Sequence, residues 1–166
     1  QGCRSAARWN WINQLNFREA IMAHARTQIR NQLITTLTGL TTTGSNVFNS
    51  RVYNHDVLPC ISVYTLSEEL GEESSLKQFR LLNVMVEVRA KAADNLEDTL
   101  DQIGVEVENA IFNNGDTTLS GKCKDFDYEG LDIELSGEAE QPFGLMTMRF
   151  SALYRVSKEA TETLIA

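Results

Sequence analysis

The chain has 166 residues and a formal net charge of -8 at neutral pH, a length that suits one domain with a substantial core. Such an acidic chain has no electrostatic attraction to phosphate backbones, and its 15 Lys and Arg residues form no basic run, so the composition argues against a protein that binds nucleic acid. No apolar stretch approaches the ~20 residues that span a bilayer, and no apolar region follows Arg4 and Arg8 as it does in a secretory signal.

Residues 1–15 differ from the rest of the chain, because they include Trp9 and Trp11 and show little periodicity, and we treat the stretch before Met22, residues 1–21, as an N-terminal segment. Met22 is a plausible native start, since a helical pattern follows it at once. Two explanations for this segment stay open. It is either an extension that does not belong to the native protein or a native arm that packs on a neighbouring subunit.

A first helix is predicted over 17–38, because apolar residues recur there at every fourth position and form one stripe. Asn16 can cap its start, with Glu19 three positions further on. Gly39 follows the last apolar residue as a left-handed terminator. The opposite face is polar and basic, and we expect it to meet water or a partner protein.

Two or three strands are predicted after the first helix. Residues 47–53 and 60–66 have the composition of strands, and Pro59 suits the first position of the second one. Residues 67–75 are predicted to form a loop that carries four glutamates. Residues 81–90 then alternate between apolar and polar side chains, which predicts a strand with one buried and one partly wet face.

A second helix is predicted over 95–113, where a stripe of apolar residues recurs at helical spacing. Asp94 can cap it, with Glu97 at the third helical position, and the acidic residues of its first turns complement the helix dipole. Gly104 lies inside this helix at a cost of about 1 kcal/mol relative to alanine. That glycine predicts close packing of the helix on a sheet.

The last third of the chain is predicted to form two strands, over 122–135 and 144–156, joined by a turn. In the first of these strands the apolar residues change from even to odd positions, with Gly130 at the change. This change predicts a β-bulge or a break at Gly130. The tail after Ser157 is expected to fray or to dock on a neighbouring molecule.

The order of these elements predicts an α+β fold, a mostly antiparallel mixed sheet with two main helices packed on one face. We assign the domain to 22–156 and a C-terminal tail to 157–166. Burying about six apolar residues of the second helix at roughly 1.5–3 kcal/mol each contributes on the order of 10 kcal/mol before entropy is subtracted. The second helix therefore depends on the sheet more than on helix propensity.

One acidic pattern imitates a calcium-binding loop, because Asp125, Asp127 and Glu129 alternate like the first ligands of an EF-hand. The twelfth position, however, is Ser136 and not the bidentate glutamate that such a loop requires. Alternation along a strand is the preferred interpretation, with the carboxylates in solvent and the aromatic residues between them in the core. We therefore expect no metal site.

The other reactive side chains are isolated. His24 and His55 have no partner at metal-ligand spacing beyond one neighbouring aspartate, which predicts turn or surface roles. The cysteines Cys3, Cys60 and Cys123 are far apart, which predicts reduced, inert thiols in a cytosolic setting. No nucleophile, phosphate-binding or dinucleotide-binding motif occurs. The sequence therefore predicts no catalytic residues, no cofactor and no enzyme activity.

Together, the order and spacing of these segments resemble the tail terminator proteins of long-tailed (siphovirus-type) phages, the lambda minor tail protein U family. The resemblance covers roughly Met22 to Val156, and no single motif in it is diagnostic. The stretch before Met22 departs from the family pattern. The segments that carry the resemblance are, in order, 22–30, 47–53, 56–64, the acidic loop, the strand to Val88, 96–111, 125–128 and 145–154.

The resemblance implies a structural virion protein that forms a hexameric ring at the head-proximal end of a finished tail tube. Such a ring stops tube polymerisation and offers a surface for joining the head. The implied partners are further copies of the chain itself, the tail tube protein, and the head connector or head-closure protein. DNA would pass through the lumen without specific binding, and assembly would take place in the host cytoplasm with no membrane.

We expect the acidic loop to become ordered when it meets the tube, and the basic face of the first helix to contact a neighbour. The candidate interface residues are Glu68, Glu69, Glu72, Glu73, Arg26 and Arg30. Three alternatives stay open. The chain could be another neck ring, such as a head-closure or tail-completion protein. It could also be a small-molecule-binding module that uses the crevice between sheet and helices, or an enzyme with a perturbed titratable cluster.

Overall fold

The computed structural model describes residues 23–51, 57–92, 94–136 and 142–165, and it confirms the predicted α+β fold. In chain order, the elements in these ranges are α1 (Ala25–Leu37), β1 (Val47–Phe48), β2 (Cys60–Glu73), β3 (Lys77–Lys91), α2 (Leu96–Ile111), a 3₁₀ turn (Asn113–Gly115), β4 (Asp125–Ser136) and β5 (Phe143–Ser157). No helix in these ranges is both long enough and apolar enough to cross a membrane.

The strands form one mixed sheet in the order β1-β2-β3-β5-β4. β1 runs parallel to β2, and the three other neighbouring pairs are antiparallel, which confirms the mostly antiparallel sheet predicted from the sequence. β2 and β3 are consecutive and form a hairpin. The order places β4 at one border of the sheet, and β1 with β2 at the other.

One face of the sheet is covered by both helices and forms the core. The even-numbered residues of β3 and β5 face the helices, and those from Leu82 to Ala90 and from Met146 to Val156 are at most 1% exposed. The rings of Phe126 and Phe150 stack in this layer, with centroids 5.3 Å apart. The helix residues in the core are Ala25, Ile29, Leu33 and Leu37 of α1 and Leu96, Leu100, Ile103, Val107 and Ile111 of α2. Both predicted apolar stripes are therefore confirmed within the described residues.

A glycine on β5 determines how closely α2 approaches the sheet. A Cβ atom at Gly144 would lie 2.8 Å from Cδ1 of Leu100 and 3.2 Å from Cγ of Leu96, so even alanine there requires these leucine side chains, or the helix that carries them, to shift. Gly104 on α2 differs, since its Cβ would lie 3.6 Å from Cε of Met146, an ordinary contact distance. The prediction that Gly104 packs on the sheet is confirmed, but the packing leaves room for a methyl group.

The bulge predicted in β4 is confirmed. Pairing between β4 and β5 shifts between Tyr128 and Gly130, and Gly130 has a φ of 142°. The extra residue reverses which positions face the helices, from even-numbered at Phe126 to odd-numbered at Leu131. Phe126 is buried as expected, but Tyr128 is 39% exposed. The expectation that both aromatic residues enter the core is therefore wrong for Tyr128, because β4 is the last strand and the helices do not reach over it.

α1 begins at Ala25, because the backbone of the preceding residue, His24, is not helical. Residues 17–22 of the predicted helix lie outside the described residues. His24 is the N-cap, and its Nδ1 accepts a hydrogen bond from the backbone N–H of Arg26 at 3.2 Å. The predicted cap Asn16 lies outside the described residues. Gly39 follows the helix with a φ of 96°, which confirms the predicted left-handed terminator.

α2 begins with a different cap from the one predicted. Its N-cap is Asn95, whose side chain makes no capping hydrogen bond, so the predicted capping box of Asp94 and Glu97 is wrong. Asn95 has a φ of 58° and a ψ of 43°, a left-handed conformation that asparagine tolerates better than most residues. Asn95 therefore suits this position because it tolerates the left-handed backbone conformation of the turn, and not because its side-chain oxygen caps the helix.

The loop predicted over 67–75 is wrong. β2 continues through this region to Glu73, and β3 already begins at Lys77, so the two strands form one long hairpin with two shifts in register. At the other edge of β2, only Val47–Phe48 form a strand. The strand predicted over 47–53 is thus too long, since residues 49–51 are not in a strand and the rest lies outside the described residues.

The segment after β5 docks on its own chain. The backbone N–H of Ile165 donates to the Arg155 carbonyl at 2.9 Å, and Gln28 Nε2 on α1 donates to the Glu162 carbonyl at 2.6 Å. Over residues 158–165, the expectation of a frayed tail, or of one docked on a neighbouring molecule, is therefore wrong. The segment fills the space beside the end of β5, because β4 begins only opposite Leu153.

Candidate functional site

Reactive side chains are separated or buried in the part of the chain that the structure describes. In this part, no three His, Cys, Asp or Glu residues are grouped as metal ligands. Cys60 and Cys123 are free and buried, and burial raises the pKa of these thiols to about 11 and about 12. Both stay protonated near neutral pH, which confirms the predicted inert thiols for these two. Cys3 and His55 lie outside the described residues, and His24 caps α1.

The first surface able to contact another molecule is the hairpin tip, which comprises residues 66–76. β1 pairs with β2 only at Ile61 and Ser62, so no described strand pairs with that edge of β2 further along. Three leucines of the hairpin tip are more than half exposed: Leu66, Leu70 and Leu76. Exposed apolar side chains beside an open strand edge are typical of an interaction surface.

Glu68, one of the four candidate glutamates on the hairpin tip, makes its contacts within the subunit. Its carboxylate lies 3.1 Å from Nη1 of Arg80 and 3.6 Å from Nε of Arg26, and it accepts a hydrogen bond from the hydroxyl group of Tyr154. Burial, together with this hydrogen bond, raises the pKa of Tyr154. Glu68 thus connects β2 to α1, β3 and β5, and both it and Arg26 are already engaged in the isolated subunit.

Of the other candidate interface residues, Glu73 and Arg30 also have partners within the subunit. Glu73 lies 3.1 Å from Nζ of Lys158, and hydrogen bonds from Lys158 and Gln78 hold the pKa of the Glu73 carboxyl below its ordinary value. Arg30 donates to the side chain of Asn49. The last two candidates are both exposed, and their carboxylates have no ion pair with any residue that the structure describes: Glu69 and Glu72.

The second surface is the apolar border of β4, which we define as Leu131, Ile133 and Leu135. These residues pair with Met148, Met146 and Gly144 of β5 and so lie on the helix side of the sheet, yet they are 38%, 40% and 48% exposed. The bulge at Gly130 places them there. The outer edge of β4 pairs with no described strand, so this border combines apolar side chains with unpaired backbone groups.

The third surface is a cleft of about 670 Å³ between the loop 118–124 and the C-terminal segment 162–165. Lys122 and Lys124 line it together with Arg155, and Glu162 is the one acidic residue of the lining. The ammonium groups of the two lysines form no ion pair within the described ranges. We call this surface the basic cleft, because cations outnumber anions in its lining although the chain as a whole is acidic.

The loop that carries the two lysines is held in a fixed conformation. The Asp116 carboxylate accepts hydrogen bonds at 2.7 Å from the backbone N–H and hydroxyl of Thr118 and from the backbone N–H of Ser120. These bonds hold the pKa of Asp116 below its ordinary value. Leu119 and Ser120 have φ values of 49° and 58°, which residues with side chains rarely adopt. The structure therefore maintains a strained backbone next to the basic cleft.

Sequence reasoning missed the basic cleft. Lys122 and Lys124 meet the segment 162–165 only because β4 and β5 lie side by side, and no local pattern signals that contact. The spacing of Asp116 and Thr118 is a local sign of the tight loop, since aspartate side chains commonly bind the backbone two residues further on. The chain matches no protein-family model and no curated protein.

Proposed function

We propose that this protein forms a ring at the head-proximal end of a phage tail tube, where it ends tube polymerisation and provides the surface to which the head is joined. The proposal is supported by the resemblance of residues 22–156 to tail terminator proteins of the lambda type. The fold implied by that resemblance, a mixed sheet with two helices on one face, agrees with the fold of this chain. The arrangement of its surfaces provides independent support.

The observation that carries the proposal is that the two borders of one sheet both present contact surfaces. The hairpin tip lies at the β2 side, and the apolar border of β4 lies at the opposite side of the order β1-β2-β3-β5-β4. A ring requires two different surfaces on each subunit, so that every copy contacts the next one head to tail.

The proposed ring has a lumen through which DNA passes. After Asp125 and Asp127, three further carboxylates of β4 point away from the helices: Glu129, Asp132 and Glu134. Of these, Asp132 is paired with Arg149 of β5. If the carboxylates of β4 line the lumen, they repel DNA phosphates and allow passage without specific binding. A ring whose lumen is lined mainly by Lys and Arg would contradict this part of the proposal.

The test is the mass of the particle in solution, alone and mixed with tubes polymerised from the tail tube protein of the same genome. We expect rings of uniform size by negative-stain electron microscopy, one at a single end of each tube, and tubes that no longer elongate when tube protein is added. Heat-denatured protein is the control. A ring that binds the head connector but leaves tube growth unchanged would instead support a different neck protein. A chain that stays monomeric in both conditions would contradict the proposal.

A small-molecule-binding module is a second candidate, because the basic cleft has a volume typical of ligand pockets. This function predicts that a metabolite raises the melting temperature of the monomer. A thermal-shift screen of organic anions, with the charge-reversed variant Lys122→Glu/Lys124→Glu as the control, separates this candidate from the ring. Specific stabilisation lost in the variant would favour it.

A further inference from the structure

The acidic hairpin tip and the basic cleft are complementary in charge but lie on different sides of the same subunit. Glu69 and Glu72 are on β2, whereas the cleft lies beyond β5 on the side where β4 begins. Three strand spacings, about 14 Å at ~4.8 Å each, separate these positions across the sheet. The carboxylates therefore do not reach the lysines of their own chain.

Both surfaces lie at the same end of the sheet along the strand direction. The register pairs Lys77, next to the hairpin turn, with Ser157, and it pairs Phe79 with Arg155, which lines the cleft. A neighbour related by rotation about an axis roughly parallel to the strands would bring its hairpin tip to the height of this cleft. Because no displacement along the axis is needed, repeated contacts of this kind close into a ring and do not grow into a filament.

The cleft is also large enough for a piece of polypeptide. Its volume of about 670 Å³ corresponds to roughly twenty water molecules at ~30 Å³ each, far more than one inorganic anion fills. The strained loop at Leu119 and Ser120 keeps Lys122 and Lys124 at its rim. On the hairpin tip, Glu69 and Glu72 project without a partner in the described structure.

We infer that the hairpin tip of one subunit docks in the basic cleft of the next, with Glu69 and Glu72 facing Lys122 and Lys124. This inference rests on the proposed ring and assigns its subunit contact. The occupant is a second copy of this chain, since the chain itself supplies both the unpaired carboxylates and the unpaired ammonium groups. Contact between such exposed charges is screened by salt, so the rings should dissociate more readily as ionic strength rises.

Charge reversal tests the inference. Glu69→Lys/Glu72→Lys and Lys122→Glu/Lys124→Glu should each weaken ring formation about tenfold or more, because like charges then meet at the contact. The four substitutions combined keep the net charge of the chain and should restore association to within about threefold of the wild type. Asp101→Lys/Glu108→Lys is the matched control, since it changes the net charge by the same amount as Glu69→Lys/Glu72→Lys at two exposed sites on α2, away from both the contact and the border of β4. Light scattering and thermal unfolding measure association and folding for every variant.

Carbodiimide crosslinking of the unmodified protein provides a second measurement that requires no substitution. Rings assembled from isotopically labelled and unlabelled chains should yield mixed-isotope crosslinks that join peptides containing Glu69 or Glu72 to peptides containing Lys122 or Lys124. Rings that form without these crosslinks, or charge reversals that the combined variant does not rescue, would overturn the inference and leave the proposed ring intact. Crosslinks from the cleft to tube protein alone would also overturn it. Protein that forms no ring with or without tubes would overturn both proposals.

Discussion

The two halves of the hairpin formed by β2 and β3 share one hydrogen-bonded ladder but differ in what their side chains contact. In the near half, Ile61, Val63, Val86 and Val88 are fully buried beneath the helices. In the far half, the leucines of the hairpin tip stand in solvent. Strand pairing alone therefore does not indicate which part of the hairpin contributes most to the free energy of unfolding. The covered half holds the core, and the exposed half is available for contacts that need not contribute to folding.

The largest expected effect contrasts a core residue with a residue of the hairpin tip. Phe150→Ala removes a ring that is 1% exposed and stacks on Phe126, so we expect a loss of about 3–5 kcal/mol in the free energy of unfolding. Leu70→Ala should change that free energy by less than about 0.5 kcal/mol. Urea unfolding at concentrations where the chain is monomeric measures both. A loss for Leu70→Ala close to that for Phe150→Ala would contradict the distinction between the covered and the exposed half of the hairpin.

The second prediction concerns the contact of α2 with the covered half of the sheet. Gly144→Ala places a methyl group 2.8 Å from Cδ1 of Leu100, and such overpacking should cost about 1–3 kcal/mol of unfolding free energy. The measurement is again urea unfolding. An unchanged midpoint would mean that the leucine side chains move aside without loss, and that the fit of α2 on the sheet is looser than the distances indicate.

The third prediction has the opposite sign. Gly104→Ala adds a methyl group at an ordinary contact distance, 3.6 Å from Cε of Met146, and it replaces a residue with low helix propensity. We expect the free energy of unfolding to rise by about 0.5–1 kcal/mol. Because both glycines contact the same helix–sheet layer, a loss of stability in both variants would show that the layer has no spare room at either position.

The smallest effect is a pH dependence at the N-cap of α1. Burial, and then the charge of Arg26, lower the pKa of His24 from its ordinary value of 6.5. As the pH falls, the unfolded chain takes up this proton first, so the contribution of His24 to stability is present above about pH 6.5 and is lost as the pH falls through the lower folded pKa. His24→Asn keeps a capping side chain but does not titrate.

Thermal melts of the wild type and of His24→Asn, from about pH 8 to about pH 5, check this prediction near the ordinary histidine pKa. The wild type should lose more of its stability over this interval than the variant. Parallel curves would mean that the imidazole titrates alike in the folded and unfolded chains. That result would contradict the assignment of His24 as the N-cap of α1.

Periodicity predicted the covered parts of the fold well and the uncovered part poorly. The alternation over 81–90 locates a central strand because one of its faces is buried. The far part of β2 has glutamates at both parities, Glu68, Glu69, Glu72 and Glu73, and every residue of the hairpin tip except Glu68 is exposed. The sequence there carries no period of two, and only pairing with β3 makes it a strand.

The candidate site was predictable to the extent that its parts are local. Glu69 and Glu72 belong to an acidic run that is visible in the sequence, so they were among the predicted interface residues. The engagement of Glu68 was not, because Arg80 and Tyr154 approach it through the register of three strands. The basic cleft was not predictable either, since it forms where two distant segments meet. The composition of a chain does not reveal which charged residues the tertiary contacts bring together.

The bulge at Gly130 also constrains how this chain can change length in evolution. After the bulge, every second side chain of β4 lies on the helix side, so losing or gaining one residue would replace Leu131, Ile133 and Leu135 on that side by a set that includes Asp132 and Glu134. Only even-numbered insertions or deletions preserve this arrangement. Homologous chains should therefore change the length of β4 after this bulge only in steps of two residues.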